Sequence, residues 1–329
     1  MQCIIDTFCT SDKENGDFMI ETRAHHTDLA VEAHALLNDS AAQTTALSGV
    51  IASNSTRLGH EITTVRVLDD NGAAQLGKPR GTYITMELGD LFDRETDAEE
   101  RKPTAFYGET SAFRLAAAAL SCEISELLQL GAGESVLVAG LGNRAVTADS
   151  LGAQIVRAVL PSGGKGTARR HIFALEAGAF DCTGIESARL IHAVCRELCP
   201  DRIIVADALA AQSIARLCCT VQLSDAGIVP GSGTGRGRTA INRELLGVPV
   251  VAIGVPTVVD AGTLAADIAE LCDTPSHSHP NADKLRACGA RLILTPTDIS
   301  STVAHVSRLI ACALNLTLHG ESLSEQLLQ

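Results

Sequence analysis

The chain contains no tryptophan, two tyrosines and seven phenylalanines in 329 residues, and only three methionines. A core without large rings has to be built from Ala, Val, Leu and Ile, which make up most of a hydrophobic fraction of 46%. Such side chains suit Ala-rich helices packed closely on a sheet, and so rich a supply of them excludes a disordered chain. Positive charge is also scarce: 26 Lys plus Arg face 39 Asp plus Glu, for a net charge of -13. That balance excludes direct binding to nucleic acid or to an anionic membrane, both of which attract basic surfaces. A basic partner is better tolerated. No uncharged apolar run reaches the roughly 18 residues of a spanning helix, and Met1 to Asp6 carry no basic start of a secretory signal. The expectation is a cytoplasmic protein.

No Cys-x-x-Cys pair occurs among the eleven cysteines, whose number is odd. Disulfides are therefore not expected, and the thiols read as small buried side chains. Cys195 and Cys199, one helical turn apart, and the adjacent Cys218 and Cys219 are the closest approach to zinc-ligand spacing. His277 and His279 sit in a polar, proline-flanked stretch with no carboxylate cluster. No Gly-x-Ser-x-Gly elbow follows a strand, and the glycine-rich run Pro230 to Arg238 lacks the Gly-Lys-Ser/Thr ending of a phosphate loop.

Five apolar runs, Glu134–Ala139, His171–Leu175, Arg202–Ala206, Pro249–Val255 and Arg291–Thr295, alternate with helical stretches. That alternation predicts an α/β fold with a mostly parallel, doubly wound sheet flanked by helices. The core is expected over residues 106–329. Ahead of it, Glu61 to Leu68 and Gly81 to Leu88 alternate like strands, with Asp70-Asn71-Gly72 as turn chemistry between them, which predicts a smaller β-rich module over residues 26–105. Residues 1–25 show no period and read as a mobile arm. Helices are expected at Ser111 to Leu130, at Thr183 to Cys199 with a capping box of Thr183 and Glu186, and along Ile299, Val303, Val306, Ile310 and Leu314. Thr27 or Asp28 stands where an N-cap would precede the helix that begins near Leu29.

Two carboxylates stand out. Asp207 ends the run Arg202 to Ala206, and Asp149 follows the run Ser135 to Ala139 through Gly140-Leu141-Gly142-Asn143. Open α/β sheets bind their ligands at the carboxyl ends of strands, so neighbouring strands would bring Asp149 and Asp207 to one rim. Such a pair suits acid-base chemistry or a metal. The relaxed dinucleotide pattern at Gly140, Gly142 and Ala145 competes, but no acidic residue follows about 20 positions on at the end of a second strand to hold a ribose.

At these residues the chain resembles the germination protease family of endospore-forming bacteria. The resemblance runs in order through His26 to Ala33, Gly140 to Asn143 with Asp149, Thr183 to Glu186, Asp207 to Ala211, Pro230 to Gly233 and Leu246 to Ala261. It implies an endopeptidase that degrades small acid-soluble spore proteins in the spore core, on a fold like that of the hydrogenase maturation proteases. It further implies a zymogen with a removable N-terminal segment, for which residues 1–25 are the expected prosegment, and a homotetramer. Its proposed catalytic aspartates fall on Asp149 and Asp207. No cofactor is implied. A metal-dependent peptidase using the same carboxylates, and a nucleotide-binding α/β protein, are the alternatives. His26 and Gln212 depart from the family pattern, which usually has arginine at both places.

Overall fold

The computed structural model describes residues 27–40, 48–89, 111–163, 170–232, 238–272 and 292–320. The expected arm, His277, His279 and residues 233–237 of the glycine-rich run lie outside the described residues. The α/β architecture expected from the sequence is the one that forms. Among the described residues nine strands make one sheet: β1 (Val50–Arg57), β2 (His60–Val67), β3 (Gly81–Glu87), β4 (Val136–Leu141), β5 (Ile172–Gly178), β6 (Arg202–Ala211), β7 (Thr220–Ser224), β8 (Val250–Asp260) and β9 (Ile293–Leu294). They lie in the order β1-β2-β3-β7-β8-β6-β4-β5, with β9 on β8. Strands β5, β4, β6 and β8 are parallel, and the wing from β7 to β1 is antiparallel. Strands from residues 26–105 and from the core thus share one continuous sheet, joined where β3 pairs with β7.

The parallel strands read clearly because they are buried on both faces, as β4 is along its whole length. One face is covered by α3 (Ser111–Leu128), α4 (Leu151–Ala158) and the helix Ile299–His319, whose Leu120, Ile155 and Ile310 pack on Val138, Ile204 and Ile253. The last of these helices is long and apolar enough to cross a membrane, yet 56% of its apolar window is buried, as a helix covering a sheet requires. On the other face α6 (Ser187–Leu198) and α7 (Arg243–Leu246) cover Leu137, Ala139, Ile203 and Val205. On that same face α1 (Ala30–Ser40) and α2 (Asp70–Leu76) cover Val65, Val67 and Tyr83 at the wing. Between these two helical covers no helix among the described residues lies over the middle of β7 and β8, and that gap positions the site.

Local expectations fail where a side chain is used at long range. Asp70-Asn71-Gly72 is the first turn of α2, because Asp69 accepts from the Gly72 amide at 2.8 Å and caps it. Thr183 and Glu186 form no capping box: Thr183 bonds to Ile185, and Glu186 accepts from the Thr239 amide at 2.9 Å. Strand β1 is exposed on both faces along most of its length, so it has no apolar period to betray it. Its pairing with β2 is set by the two-residue turn Leu58-Gly59, in which both φ angles are positive.

Candidate active site

Strands β4 and β6 are parallel neighbours, so Asp149 and Asp207 do arise from adjacent strands. Asp207 is not beyond its strand, however. Strand β6 runs on to Ala211, and Asp207 is the first residue past the stretch paired with β4, which ends at Gly140 and Ala206. The crevice opens where β4 peels away, and β6 continues along β8 alone. Asp207 shares the strand parity of Ile203 and Val205, which places it on the face covered by α6. It is 6% exposed, and its Oδ1 accepts from the Ala208 amide at 2.9 Å.

Asp149 sits in a 3-10 turn, Thr147–Asp149, between β4 and α4. Its Oδ2 accepts from the Asn143 amide at 2.6 Å, which ties the carboxylate back to the loop leaving β4. The turn is fixed from below by Thr257, whose hydroxyl donates to the Ala148 carbonyl at 2.7 Å. Thr257 is the extra residue of a bulge in β8, between the pairs Leu209↔Pro256 and Ala210↔Val258. A proline in a central strand signals such a bulge, since it cannot donate to the ladder, and Pro256 is the sign by which Thr257 was findable. Close backbone approach completes the arrangement: a Cβ on Gly152, at the start of α4, would lie 2.4 Å from the Ala206 carbonyl oxygen.

The two carboxylates are set differently. Burial, then the charge of Asp149, then that of Asp28, hold Asp207 well above the ordinary carboxylate value, against the pull of the Ala208 amide. Asp149 is raised by burial and by Asp181, while the Asn143 amide opposes the shift. Burial and the Asp149 charge thus hold Asp207 toward its protonated form, while the Asn143 amide favours the ionised form of Asp149.

Of the two expected N-caps, Thr27 accepts from the Leu29 amide at 3.0 Å just ahead of α1, whereas the Asp28 carboxylate takes its partners outside the helix. The first amide of α1, that of Ala30, is capped instead by Gln222 Oε1 from β7, at 2.7 Å. The Asp28 carboxylate faces the site, accepting from the Ala210 amide at 2.8 Å and from the Ser232 hydroxyl at 2.5 Å. Asp28 also lines a cavity of about 160 Å³ in the gap between the helical covers, floored by Ala252 and Gly254 and walled by Leu209, Tyr83 and Lys78. Gly254 is the register partner of Asp207, so the cavity lies on the same sheet face as that carboxylate. Glu32 on α1 takes the amides of Gln212 and Ser213 at 2.8 and 3.0 Å, closing the far end of β6. Among the described residues no group of three His, Cys, Asp or Glu side chains converges as a metal-ligand set.

The raised setting of Asp207 has a measurable cost in stability. A carboxyl that binds its proton more tightly folded than unfolded adds stability below its unfolded value, near 3.8, and loses that contribution as pH rises through the folded value. At neutral pH, keeping on buried Asp207 a proton that the unfolded chain releases is therefore destabilising, at about 1.4 kcal/mol for each pH unit above the unfolded value over which the proton is held. Asp207→Asn is expected to melt at least about 2 °C higher than the parent at pH 7, with the difference shrinking to nothing near pH 4. Scanning calorimetry across that range checks it, and a variant less stable than the parent at pH 7 contradicts the burial argument.

A helix-flanked sheet with two electrostatically linked, unequally set carboxylates where parallel strands part has the equipment of a hydrolase working by acid-base activation of water. The chain belongs to the germination protease family, whose model matches residues 30–272, and it is a peptidase. A germination protease of Caldanaerobacter subterraneus subsp. tengcongensis is 36% identical over 329 residues, covering 91% of this chain and 96% of its own length. A germination protease of Bacillus cereus (strain G9842) is 37% identical over 258 residues, covering 73% of this chain and 65% of its own. The chain thus spans a little under two thirds of the Bacillus relatives it matches. Among solved structures, a [NiFe] hydrogenase maturation protease from Thermococcus kodakarensis aligns with 55% of this chain and 92% of its own at 13% identity and a TM-score of 0.32.

Proposed function

We propose that this peptidase cleaves small acid-soluble spore proteins in the spore core during germination, using Asp149 and Asp207 as an acid-base pair. The observation that carries the reading is the unequal setting of two interacting carboxylates at the rim where β4 and β6 part. Asp149, anchored by an amide that favours its ionised form, takes a proton from the attacking water. Asp207, kept protonated, donates to the scissile carbonyl oxygen as the new carbon-oxygen bond forms. Collapse of the tetrahedral species breaks the carbon-nitrogen bond, with the proton held by Asp149 passing to the leaving amine and one hydroxyl proton of the diol returning to Asp207 as the carbonyl re-forms. The net negative charge tolerates a basic substrate better than nucleic acid.

Residues 1–25 serve in this reading as a prosegment, and the active species is a homotetramer. Incubating the full chain, and a version starting near Arg23, with a purified small acid-soluble spore protein tests the substrate and the zymogen together. Discrete fragments from the shortened form and slow cleavage by the full chain are expected. No cleavage by either form removes the substrate, and equal rates remove the prosegment. The same samples in a chelator test the metal alternative, because activity lost there and restored by added metal reassigns the carboxylates as ligands. Light scattering is expected to return four times the 34.3 kDa chain mass, whereas a fully active monomer at micromolar concentration rules the tetramer out.

A further inference from the structure

The hydrogen-bond partners of the Asp28 carboxylate lie 182 and 204 residues further along the chain, and three independent contacts aim the residue at the site. Its main chain donates to the Ala210 carbonyl at 3.1 Å while its Oδ2 takes the Ala210 amide, so it pairs with β6 three residues past Asp207. Gln222 grips the segment from β7, donating to the Asp28 carbonyl at 3.0 Å and accepting from Ala30 at 2.7 Å. The remaining carboxylate oxygen receives Ser232, which belongs to the glycine-rich run beyond β7. A cap needs none of this. The contacts hold a half-buried carboxylate in the wall of the cavity beside Asp207 and attach Ser232 to it.

We propose that Asp28 is a positioning residue of the active site, one whose negative charge keeps the proton on Asp207 and whose bond to Ser232 holds that residue in the cavity wall. The inference rests on the dyad reading given above. The electrostatic surroundings support it. Asp207 is faced by Asp149 from the 3-10 turn and by Asp28 from the N-terminal segment, and Asp149 is faced in turn by Asp181. Asp28 and Glu32 act on Lys78, which lies behind Asp28, donates to the Thr27 carbonyl at 2.6 Å and has its ammonium disfavoured by burial. Tyr83, the remaining titratable group in the cavity wall, is pushed upward by burial and stays neutral. Asp149 and Asp28 are the charges that act on Asp207, and both disfavour its ionisation. The charge that makes the acid an acid is thus supplied partly by a residue far upstream of both aspartates.

Two roles of one side chain separate in kinetics. Removing the charge makes Asp207 easier to ionise, so the acid form is lost at lower pH. Asp28→Asn is expected to move the alkaline limb of the kcat/KM profile on a spore-protein substrate down by roughly one pH unit. Ser232→Ala removes the hydroxyl bond to Asp28 and keeps the charge, so KM is expected to rise several-fold with the limb unmoved. Lys78→Met strips the cation that interacts with Asp28 while keeping the Asp28 carboxylate, and moves the limb the opposite way, upward. This third variant decides the matter if Asp28→Asn does not fold. Asp149→Asn and Asp207→Asn, assayed alongside, separate the two levels of inference. If either retains full activity the dyad falls, and the role of Asp28 falls with it. If both are inactive while Asp28→Asn and Lys78→Met leave the limb where the parent has it, the dyad stands and the role proposed for Asp28 is overturned.

Discussion

Asp149→Asn, Asp207→Asn and the double substitution are each expected to lower kcat on a spore-protein substrate by about 10³-fold, with the double variant no worse than the poorer single. The reason is that neither carboxylate has a job alone. A base without a proton donor across from it leaves the developing oxyanion unneutralised, and a donor without a base leaves the water intact. Groups that act as a unit give losses that do not add. Asparagine keeps the shape of each side chain, so the amides of Asn143 and Ala208 still find an oxygen to donate to. The fold is expected to survive, and for Asp207→Asn to gain stability at pH 7, which separates loss of chemistry from loss of structure. Steady-state kinetics with circular dichroism on the same preparations checks both. Multiplicative losses in the double variant would falsify the shared-proton mechanism even with all three proteins folded.

The parts of this site that were legible in the sequence are those fixed by the sheet. Arg202 to Ala206 and Ser135 to Ala139 are β-branched and apolar, parallel strands in the middle of a sheet carry that composition, and the polar residue after such a run marks a rim. Asp149 and Asp207 were found that way, and the pairing of β4 with β6 brings them to the same edge. The extent of the strands was less legible. The expected run ended at Ala206, whereas β6 continues through Asp-Ala-Leu-Ala-Ala, because those small residues are supported by β8 rather than by their own propensity.

What could not be read was anything defined by contact across the chain. Thr27-Asp28 before an apolar helix has the local form of a cap, and only the positions of Ala210 and Ser232 turn Asp28 toward the site. Thr183 and Glu186 have the spacing of a capping box, and Thr239 takes the glutamate instead. Short-range patterns describe what a side chain is able to do, while tertiary structure selects among those options. Strand β7, Thr220–Ser224, escaped for the same reason: its Gln222 and Ser224 are polar in a buried strand because they face the cavity and the N-terminal segment rather than a helix.

The backbone beneath Asp149 offers a test that leaves both carboxylates in place. Gly142 has φ +88, and a Cβ built there would lie 2.0 Å from the Asp149 carbonyl oxygen and 2.9 Å from its Oδ1. Alanine therefore meets two separate penalties. The left-handed backbone costs an L-residue about 1–2 kcal/mol, and the overlap with the Thr147–Asp149 turn costs about 1–3 kcal/mol more unless the turn moves. Thr257 resists that movement through the Ala148 carbonyl, so the strain falls on the Asp149 side chain. A displacement of about 1 Å in a catalytic group is enough for a loss near 10²-fold. Gly142→Ala is thus expected to lose about 2–5 kcal/mol of stability and about 10²-fold in kcat. Gly247→Ala serves as the control. It also has positive φ, at +76, but no atom lies within 4 Å of its Cβ position, so it carries the backbone cost of about 1–2 kcal/mol and none of the loss in kcat. If the two variants lose activity equally, the damage is global and Asp149 has not been displaced; if Gly142→Ala alone fails, the turn that carries Asp149 is what the chemistry depends on.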